Sequence, residues 1–319
     1  MRALVFVVVV VALVGLGYAN APAQADRGGV VSFATLPAGQ PGHPEGIAAD
    51  RNGNIYAASF DFSGVNNVYV FAHSGQLIDT IDLTGHVPLG LQFGPDDKLY
   101  VADFGNGKVL QLAGHVITHT YNVCGGAGAG CGLNAITFDA AGALYVSDSF
   151  GGNIFMVNTT SGAVSLYVHD DQLKPGSHGF PGFGANGLVF KGTDLYVANT
   201  ADDRILKVSA GKVVTSFVES INGADGITLD SHGRFWVCAN QENVLYVIND
   251  QGQVEDIIGS FEGIDPDGAP RGLLFPASIV ESRGSMYITN TALDFRHHFV
   301  GERPVTRFTV SRLPLGPAR

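Results

Sequence analysis

The sequence predicts an all-β fold, a six-bladed β-propeller with four short strands in each blade. Three observations support this: a short aromatic motif recurs six times, strand-like segments flank each copy, and glycine is abundant, with 43 residues in 319. Frequent glycine suits many tight turns between short strands. Repeats of about 40 to 50 residues that each supply four strands are typical of propeller blades.

Each repeat is marked by an aromatic residue in the middle of a strand. The six copies are centred on Tyr56, Tyr100, Tyr145, Tyr196, Trp236 and Tyr287, at intervals of 40 to 51 residues. An apolar segment and a turn precede each copy, and a third strand such as NVYVFA or RILKVS follows it. Apolar and polar residues alternate in these segments, which favours half-buried strands over helices.

The first and last repeats predict how the ring closes. The sixth repeat ends after its third strand, at Arg312, while residues 30–35, VVSFAT, precede the first repeat without a partner there. Pairing these two segments would hide an open sheet edge. We therefore expect the N-terminal strand to complete the last blade of one propeller domain, residues 26–319.

Residues 1–25 have the pattern of a secretory signal peptide. Basic Arg2 precedes an apolar run over residues 3–17, and Ala23-Gln24-Ala25 offers a cleavage site. The run is shorter than the about 20 apolar residues of a membrane span, and none of the later segments reaches that length. We expect a secreted or periplasmic protein that has no membrane contact after cleavage.

The chain contains three cysteines. Cys124 and Cys131 bracket a glycine-rich loop, and in an oxidising compartment we expect them to form a disulfide, with two free thiols as the alternative. Cys238 has the surroundings of a buried core thiol. The net charge of −11 argues against nucleic acid as a partner. We expect a monomer that binds a small molecule.

Polar residues at the end of the second strand repeat from blade to blade. They are Asp103, Asp148, Asn199, Asn240 and Asn290. Short polar side chains of this kind bond to nearby backbone groups in turns. We interpret all five as turn caps.

The residue that opens the innermost strand varies from blade to blade. The six equivalents are Glu45, Leu89, Asn134, Asn186, Asp225 and Ala277. Innermost strands line the central channel, so these side chains converge on its mouth. Two carboxylates and two amide oxygens are hard ligands that suit calcium, with zinc, magnesium or manganese as alternatives. The sequence thus predicts a metal site at Glu45, Asn134, Asn186 and Asp225, although each residue taken alone also fits a turn.

Loops on the same face as the proposed metal offer candidates for a substrate pocket. The longest loops cover residues 172–185, 261–276 and 290–304. Phe180 and Phe183 could wall an apolar pocket, and His178 could stand beside the metal as an acid or base. His43, two residues before Glu45, is a further pocket candidate. Alternatively, the loop aromatics pack on a blade edge.

The mature chain resembles the SMP-30/gluconolactonase/LRE-like superfamily. The resemblance rests on the six blades and on Glu45, Asn134, Asn186 and Asp225, which follow the order of the superfamily's metal ligands. It implies that a metal polarises a lactone carbonyl or phosphoryl oxygen, while Asp225 serves as catalytic base or nucleophile. The implied function is an exported, metal-dependent hydrolase of lactones or related esters.

Departures from the superfamily pattern leave two other functions open. Members that act on sugar lactones carry a substrate-binding Arg two residues before the third-blade Asn, whereas this chain has Gly132. A sugar lactone is therefore disfavoured. The repeat unit also resembles NHL propellers, so a non-catalytic propeller that binds a peptide or glycan is one alternative. A metal-free propeller like the strictosidine synthases is the other.

Overall fold

The computed structural model describes residues 29–38, 42–61, 64–124, 130–176, 182–293 and 304–316. The predicted signal peptide, residues 1–25, lies outside these ranges. Strands dominate the described part, whose helical segments are the 3₁₀ turns Phe104–Asn106 and Asp171–Leu173. None of its helices has the length and hydropathy needed to cross a membrane.

An N-terminal strand and three blades form the first half of the chain. The N-terminal strand is β1 (Val31–Thr35). Blade 1 consists of β2 (His43–Ala49), β3 (Ile55–Phe60), β4 (Asn67–Phe71) and β5 (Leu77–Asp82). Blade 2 consists of β6 (Pro88–Phe93), β7 (Leu99–Asp103), β8 (Lys108–Ala113) and β9 (Val116–Asn122). Blade 3 consists of β10 (Leu133–Phe138), β11 (Leu144–Asp148), β12 (Asn153–Val157) and β13 (Val164–His169).

Three further blades and one hairpin form the second half. Blade 4 consists of β14 (Ala185–Lys191), β15 (Asp194–Asn199), β16 (Arg204–Val208) and β17 (Val214–Glu219). Blade 5 consists of β18 (Ala224–Leu229), β19 (Phe235–Ala239), β20 (Val244–Ile248) and β21 (Val254–Ile258). The hairpin of β22 (Phe261–Ile264) and β23 (Pro270–Gly272) occupies a segment expected to be a loop. Blade 6 contains β24 (Pro276–Ser282), β25 (Ser285–Asn290) and β26 (Thr309–Pro314).

The N-terminal strand closes the ring, as predicted. Strand β1 pairs antiparallel with β26, with Val31 opposite Arg312 and Thr35 opposite Thr309. The sixth sheet therefore has the order β1-β26-β25-β24, and all six blades are four-stranded. The prediction of a six-bladed propeller sealed by its N-terminal strand is confirmed.

The hydrophobic core is divided into clusters that lie between neighbouring blades. One cluster joins Ala48 and Val68 of blade 1 to Leu91 and Val101 of blade 2. The repeated aromatic residue of β19, Trp236, is fully buried in another such cluster. Because both faces of a blade pack against neighbours, the second strands are apolar on both faces rather than on one.

The innermost strands line the channel, and each of them has a β-bulge near its start. Each contacts the innermost strand of the blades on either side, so that β2, β6, β10, β14, β18 and β24 form a closed cycle. In each, the register with the second strand shifts across two residues, such as Asp225-Gly226 between the pairs Ala224–Ala239 and Ile227–Val237. A β-bulge of this kind re-aims a side chain. The varying residue predicted to face the mouth lies in the bulge of every blade.

Candidate metal centre at the channel mouth

The four predicted ligands occupy equivalent bulges and are buried. The exposed fractions of Glu45, Asn134, Asn186 and Asp225 lie between 4% and 7%. The equivalent positions of blades 2 and 6 hold buried Leu89 and Ala277. Polar side chains from four blades therefore converge at one end of the channel, and the other two blades place apolar side chains beside them.

Glycine in the bulge brings adjacent innermost strands close together. A Cβ atom at Gly187 would overlap the carbonyl oxygen of Asp225, and one at Gly90 would overlap that of Asn134. Only a residue without a side chain permits this approach of two backbones. The mouth residues of neighbouring blades are held side by side as a result.

The two carboxylates interact across the mouth although they come from blades 1 and 5. Burial, and then the negative charge of Asp225, raise the pKa of Glu45 well above its usual range. Burial raises the pKa of Asp225 to about 7, while the side-chain amides of Asn240 and Asn186 act in the lowering direction. Ionising both acids in a low-dielectric site costs free energy, because the two negative charges repel each other and are poorly solvated. A bound cation would balance these charges.

Each carboxylate also has an oxygen without a partner. Among the described residues, Glu45 Oε2 and Asp225 Oδ1 are buried and accept no hydrogen bond. Nearly all buried acceptors in proteins are satisfied, so such atoms call for an explanation. Two unsatisfied oxygens, one from blade 1 and one from blade 5, at one channel mouth fit a bound cation.

The two amides are oriented by hydroxyl groups of their own blades. Asn134 Nδ2 donates to Ser149 Oγ at 3.2 Å, and Asn186 Nδ2 donates to Thr200 Oγ1 at 2.9 Å. Because each nitrogen is engaged in this way, the carbonyl oxygen of each amide is the atom available to a cation. The donor set is thus made of oxygens alone.

Hydroxyl groups also lock one blade to the next at this level. Ser149 Oγ donates to the carbonyl oxygen of Ala185 at 2.8 Å, and Thr200 Oγ1 donates to that of Ala224 at 2.7 Å. Each bond runs from the end of one second strand to the residue preceding the next blade's mouth residue. The bonds fix the backbone that carries Asn186 and Asp225.

The chemistry of the donors suits a hard cation. In the part of the chain that the structure describes, there is no cluster of three or more His, Cys, Asp or Glu side chains. The two carboxylates and two amides at the mouth form a mixed set of oxygen ligands, of the kind that calcium takes in proteins.

Asn240 is a component of this site that the sequence reasoning missed. The register pairs Ala239 with Ala224, so Asn240 lies one position beyond the turn-cap residues of the other blades. Its Nδ2 donates to Asp225 Oδ2 at 2.8 Å, and the side chain is buried. The interpretation of Asn240 as a turn cap is wrong, because Ala239 occupies the cap position of blade 5 and Asn240 follows it, as Thr200 follows Asn199 in blade 4. Counting from the central aromatic residue of each repeat could have revealed the offset.

The other cap residues bond to turns. Asp148 Oδ1 accepts from the backbone nitrogens of Gly132, Phe150 and Gly151 at 2.9, 3.1 and 3.1 Å. Asp148 Oδ2 accepts from Asn153 Nδ2 at 2.7 Å. This carboxylate is saturated by its own turn.

Asp103 has a partner that the sequence did not indicate. His86 Nδ1 lies 2.6 Å from Asp103 Oδ2, while the backbone nitrogen of Val87 donates to Asp103 Oδ1 at 2.9 Å. The pair ties the loop that enters blade 2 to the end of β7. Asp103 therefore serves as a cap whose second oxygen holds an imidazole.

The predicted pocket residues fall into three groups. His178 and Phe180 lie outside the described residues. His43 Nδ1 donates to the carbonyl oxygen of Thr291 at 2.7 Å, and its ring packs edge-on against Phe308 with centroids 4.7 Å apart. Phe183 belongs to an aromatic cluster with two phenylalanines that the sequence analysis did not select.

The three cysteines all lie near this end of the fold. Cys124 and Cys131 are bonded, with Cα atoms 6.1 Å apart, at the entrance to β10. Cys238 is buried opposite the Asp225-Gly226 bulge. Burial, and then the charges of Asp225 and Glu45, raise the pKa of its thiol, so Cys238 stays protonated beside the carboxylates.

Comparison with known protein families identifies the group to which this propeller belongs. Residues 88–260, more than half of the chain, match the model of the SMP-30/Gluconolactonase/LRE-like region. The chain belongs to this family. The match covers Asn134, Asn186 and Asp225, while Glu45 precedes it. A search of curated proteins found no match.

Solved structures share the fold at low sequence identity. A gluconolactonase of Xanthomonas campestris is 14% identical, with a TM-score of 0.65, over 90% of this chain and 89% of its own. The calcium-binding protein regucalcin of Agrobacterium tumefaciens is 16% identical, with a TM-score of 0.58, over 90% and 99%. Virginiamycin B lyase of Staphylococcus aureus is 13% identical, with a TM-score of 0.58, over 88% and 98%. Propellers of this shape thus include proteins other than hydrolases.

Proposed function

We propose that this member of the SMP-30/gluconolactonase/LRE-like family is a calcium-dependent hydrolase of lactones or related esters. Glu45, Asn134, Asn186 and Asp225 would hold the metal. The observation that carries the proposal is the pair of buried carboxylates with unsatisfied oxygens at the channel mouth. A metal-free propeller would leave both groups without a role and at a cost in stability.

When bound, calcium supplies Lewis acidity toward a carbonyl oxygen. The chain's own contribution is a base held beside the reacting carbonyl. Asp225 accepts a proton from water as the water oxygen bonds to the carbonyl carbon, and the proton then passes to the alkoxide that leaves when the ring or ester C–O bond breaks.

Asn240 would act as a positioning residue in this reaction. Its amide donates to Asp225 Oδ2 at 2.8 Å, which leaves Oδ1 as the oxygen without a partner. Holding one oxygen fixes the direction of the other. Asp225 would therefore present Oδ1 to the channel in one orientation.

The test is hydrolysis of a panel of lactones and of phenyl acetate. A pH-stat measures the rate of proton release, once with calcium and once with chelator. We expect turnover that requires calcium and that falls by about a hundredfold or more in Asp225→Asn. Asp82→Asn removes an exposed carboxylate of the outer strand β5 and should retain full activity. Calcium binding without turnover of any substrate would instead favour a propeller that only binds its ligand.

We also propose that the protein is exported. The basic and apolar pattern of residues 1–25 and the Cys124–Cys131 disulfide support this, because disulfides persist in oxidising compartments. Sequencing of the N-terminus of the protein recovered from its native cells should locate the mature start near Asp26. A start at Met1 in the cytoplasmic fraction would overturn the proposal.

A further inference from the structure

Three phenylalanine rings from three different segments meet on the face that carries the proposed metal centre. Phe104 follows β7, Phe150 follows β11, and Phe183 lies in the segment that enters β14. The ring centroids of Phe150 and Phe183 are 5.5 Å apart and the rings are stacked, while Phe104 lies 5.6 Å from Phe150 and 6.1 Å from Phe183. We name Phe104, Phe150 and Phe183 the aromatic cluster.

The aromatic cluster is continuous with the candidate metal centre. Phe150 directly follows Ser149, whose hydroxyl accepts from the amide of Asn134. Phe183 precedes Asn186 by three residues, and the backbone nitrogen of the intervening Gly184 donates to the carbonyl oxygen of Ser149 at 2.8 Å. Hydrogen bonds of Ser149 therefore link the segments that carry Phe150 and Phe183 to each other and to the proposed ligand Asn134, and Phe183 lies close in sequence to the proposed ligand Asn186.

Gly132 provides the floor of the aromatic cluster. A Cβ atom there would lie 2.8 Å from ring atoms of both Phe104 and Phe150, closer than real Cβ atoms approach other atoms. Gly132 lies two residues before Asn134, within about 7 Å along an extended strand. The rings thus take the space into which a side chain at this position would project, and an aromatic wall stands beside the proposed ligand.

The aromatic cluster is not fully covered. Phe150 is 40% exposed, and among the large hydrophobic residues that the described ranges leave exposed it is the only aromatic one. The others lie mainly on outer strands, for example Leu166 on β13, which is 52% exposed. A stacked, partly exposed aromatic surface beside a polar centre has the composition of a small-molecule pocket.

We propose that the aromatic cluster binds an apolar substituent of the substrate, so that the preferred substrates are aryl- or alkyl-substituted lactones or esters rather than polyhydroxylated ones. The inference rests on the proposed hydrolase function for its reaction, but the aromatic cluster can be tested by binding alone. The carbonyl group would face Asn134, Asn186 and Asp225. The substituent would lie over Phe150, and the carboxylate of Asp148, two residues earlier in the chain, is already saturated with hydrogen bonds.

The experiment compares two lactones with the same reacting ring, γ-butyrolactone and γ-phenyl-γ-butyrolactone. The calcium-loaded wild type should hydrolyse the phenyl compound with a kcat/KM at least about tenfold higher, the scale of one apolar group in a pocket. Phe150→Ala should remove most of that preference. Phe150→Leu should retain an intermediate preference. Leu166→Ala, an exposed change in the same blade, should behave as wild type.

The corresponding lactams provide a readout that does not depend on hydrolysis. γ-Phenyl-γ-butyrolactam should bind more tightly than γ-butyrolactam in calorimetry, and Phe150→Ala should weaken its binding about tenfold. If this holds while neither lactone is turned over, the hydrolase function fails and the aromatic subsite stands. If lactones are turned over but the phenyl group changes neither kcat/KM nor binding in the wild type, the subsite proposal is overturned and the hydrolase function stands.

Discussion

Two sets of buried polar side chains surround the channel, and they differ in whether their hydrogen bonds are complete. The cap ring, Asp103, Asp148, Asn199 and Asn290, closes the turns after the second strands. The mouth ring, Glu45, Asn134, Asn186 and Asp225, lies in the bulges of the innermost strands. All eight residues are buried. Asp148 accepts four hydrogen bonds, whereas Glu45 and Asp225 each retain an unsatisfied oxygen.

This difference separates residues that stabilise the fold from residues that cost stability. A saturated buried carboxylate holds its turn in place, because each lost bond would leave a buried donor unpaired. An unsaturated pair of carboxylates destabilises the folded protein until something balances it. Residue type and burial do not distinguish the two rings. The hydrogen bonds do.

The largest expected effect is on the cap ring. Asp148→Ala leaves the backbone nitrogens of Gly132, Phe150 and Gly151 without their acceptor and should lower the free energy of unfolding by about 3 kcal/mol or more. Urea unfolding followed by circular dichroism measures the change. A loss below about 1 kcal/mol would mean that the cap ring does not have the structural role assigned to it.

The opposite sign is expected for the mouth ring. In calcium-free buffer at neutral pH, Asp225→Asn removes a buried charge and should raise the free energy of unfolding by about 2 kcal/mol. Added calcium should stabilise the wild type but not this variant. Asp148→Asn is the matched control, and it should destabilise the protein with or without calcium. A calcium-free Asp225→Asn protein less stable than wild type would remove the distinction between the rings.

The stability of the calcium-free protein should depend on pH because of the mouth-ring carboxylates. The pKa of Asp225 is about 7 in the folded protein and about 4 in the unfolded chain. Between these values the folded state keeps a proton that the unfolded state has released, so the calcium-free protein should lose stability as pH rises through this window. Glu45, whose pKa is also raised, adds in the same direction.

Calcium should bind more tightly over the same rise in pH, since it competes with the protons of the mouth carboxylates. Melting temperatures of wild type and Asp225→Asn, measured from about pH 4 to about pH 8 with and without calcium, test both trends. The difference between the two proteins isolates the contribution of Asp225. A calcium-free difference that does not change with pH would contradict the account.

The smallest expected effect concerns Asn240. Because it orients a proposed ligand rather than contacting the metal, Asn240→Ala should weaken calcium binding only about tenfold. It should also move the pKa of Asp225 further upward, since a hydrogen bond that lowers it is lost. Calcium affinity that matches wild type, together with reduced stability, would return Asn240 to the role of a turn cap.

The fold could be predicted from the sequence because each blade repeats the same local pattern. The aromatic second strand and the turn before it recur six times, and the unpaired segment of residues 30–35 predicted the closing strand. The mouth residues followed from aligning the repeats. The sequence predicts a loop over residues 261–276, because the short hairpin of β22 and β23 has no counterpart in the other repeats.

The missed features depend on register and on contacts between blades. Asn240 lies four residues after its central aromatic residue rather than three, and the pairing of β18 with β19 places Ala239 at the cap position. Phe104 and Phe150 belong to different repeats and meet over Gly132. The unsatisfied oxygens of Glu45 and Asp225, which distinguish the two rings, follow from the packing of the whole channel mouth.

The most direct test of the central claim is calcium titration by calorimetry on the mature protein. Wild type, Asp225→Ala, Asn186→Ala and Glu45→Gln would be compared with Asp148→Asn as the cap-ring control. We predict binding to wild type at one site, a loss of affinity of about a hundredfold or more in the three mouth-ring variants, and retained affinity in the folded fraction of the control. Absence of binding to wild type, or binding that is indifferent to the mouth-ring changes, would contradict the account.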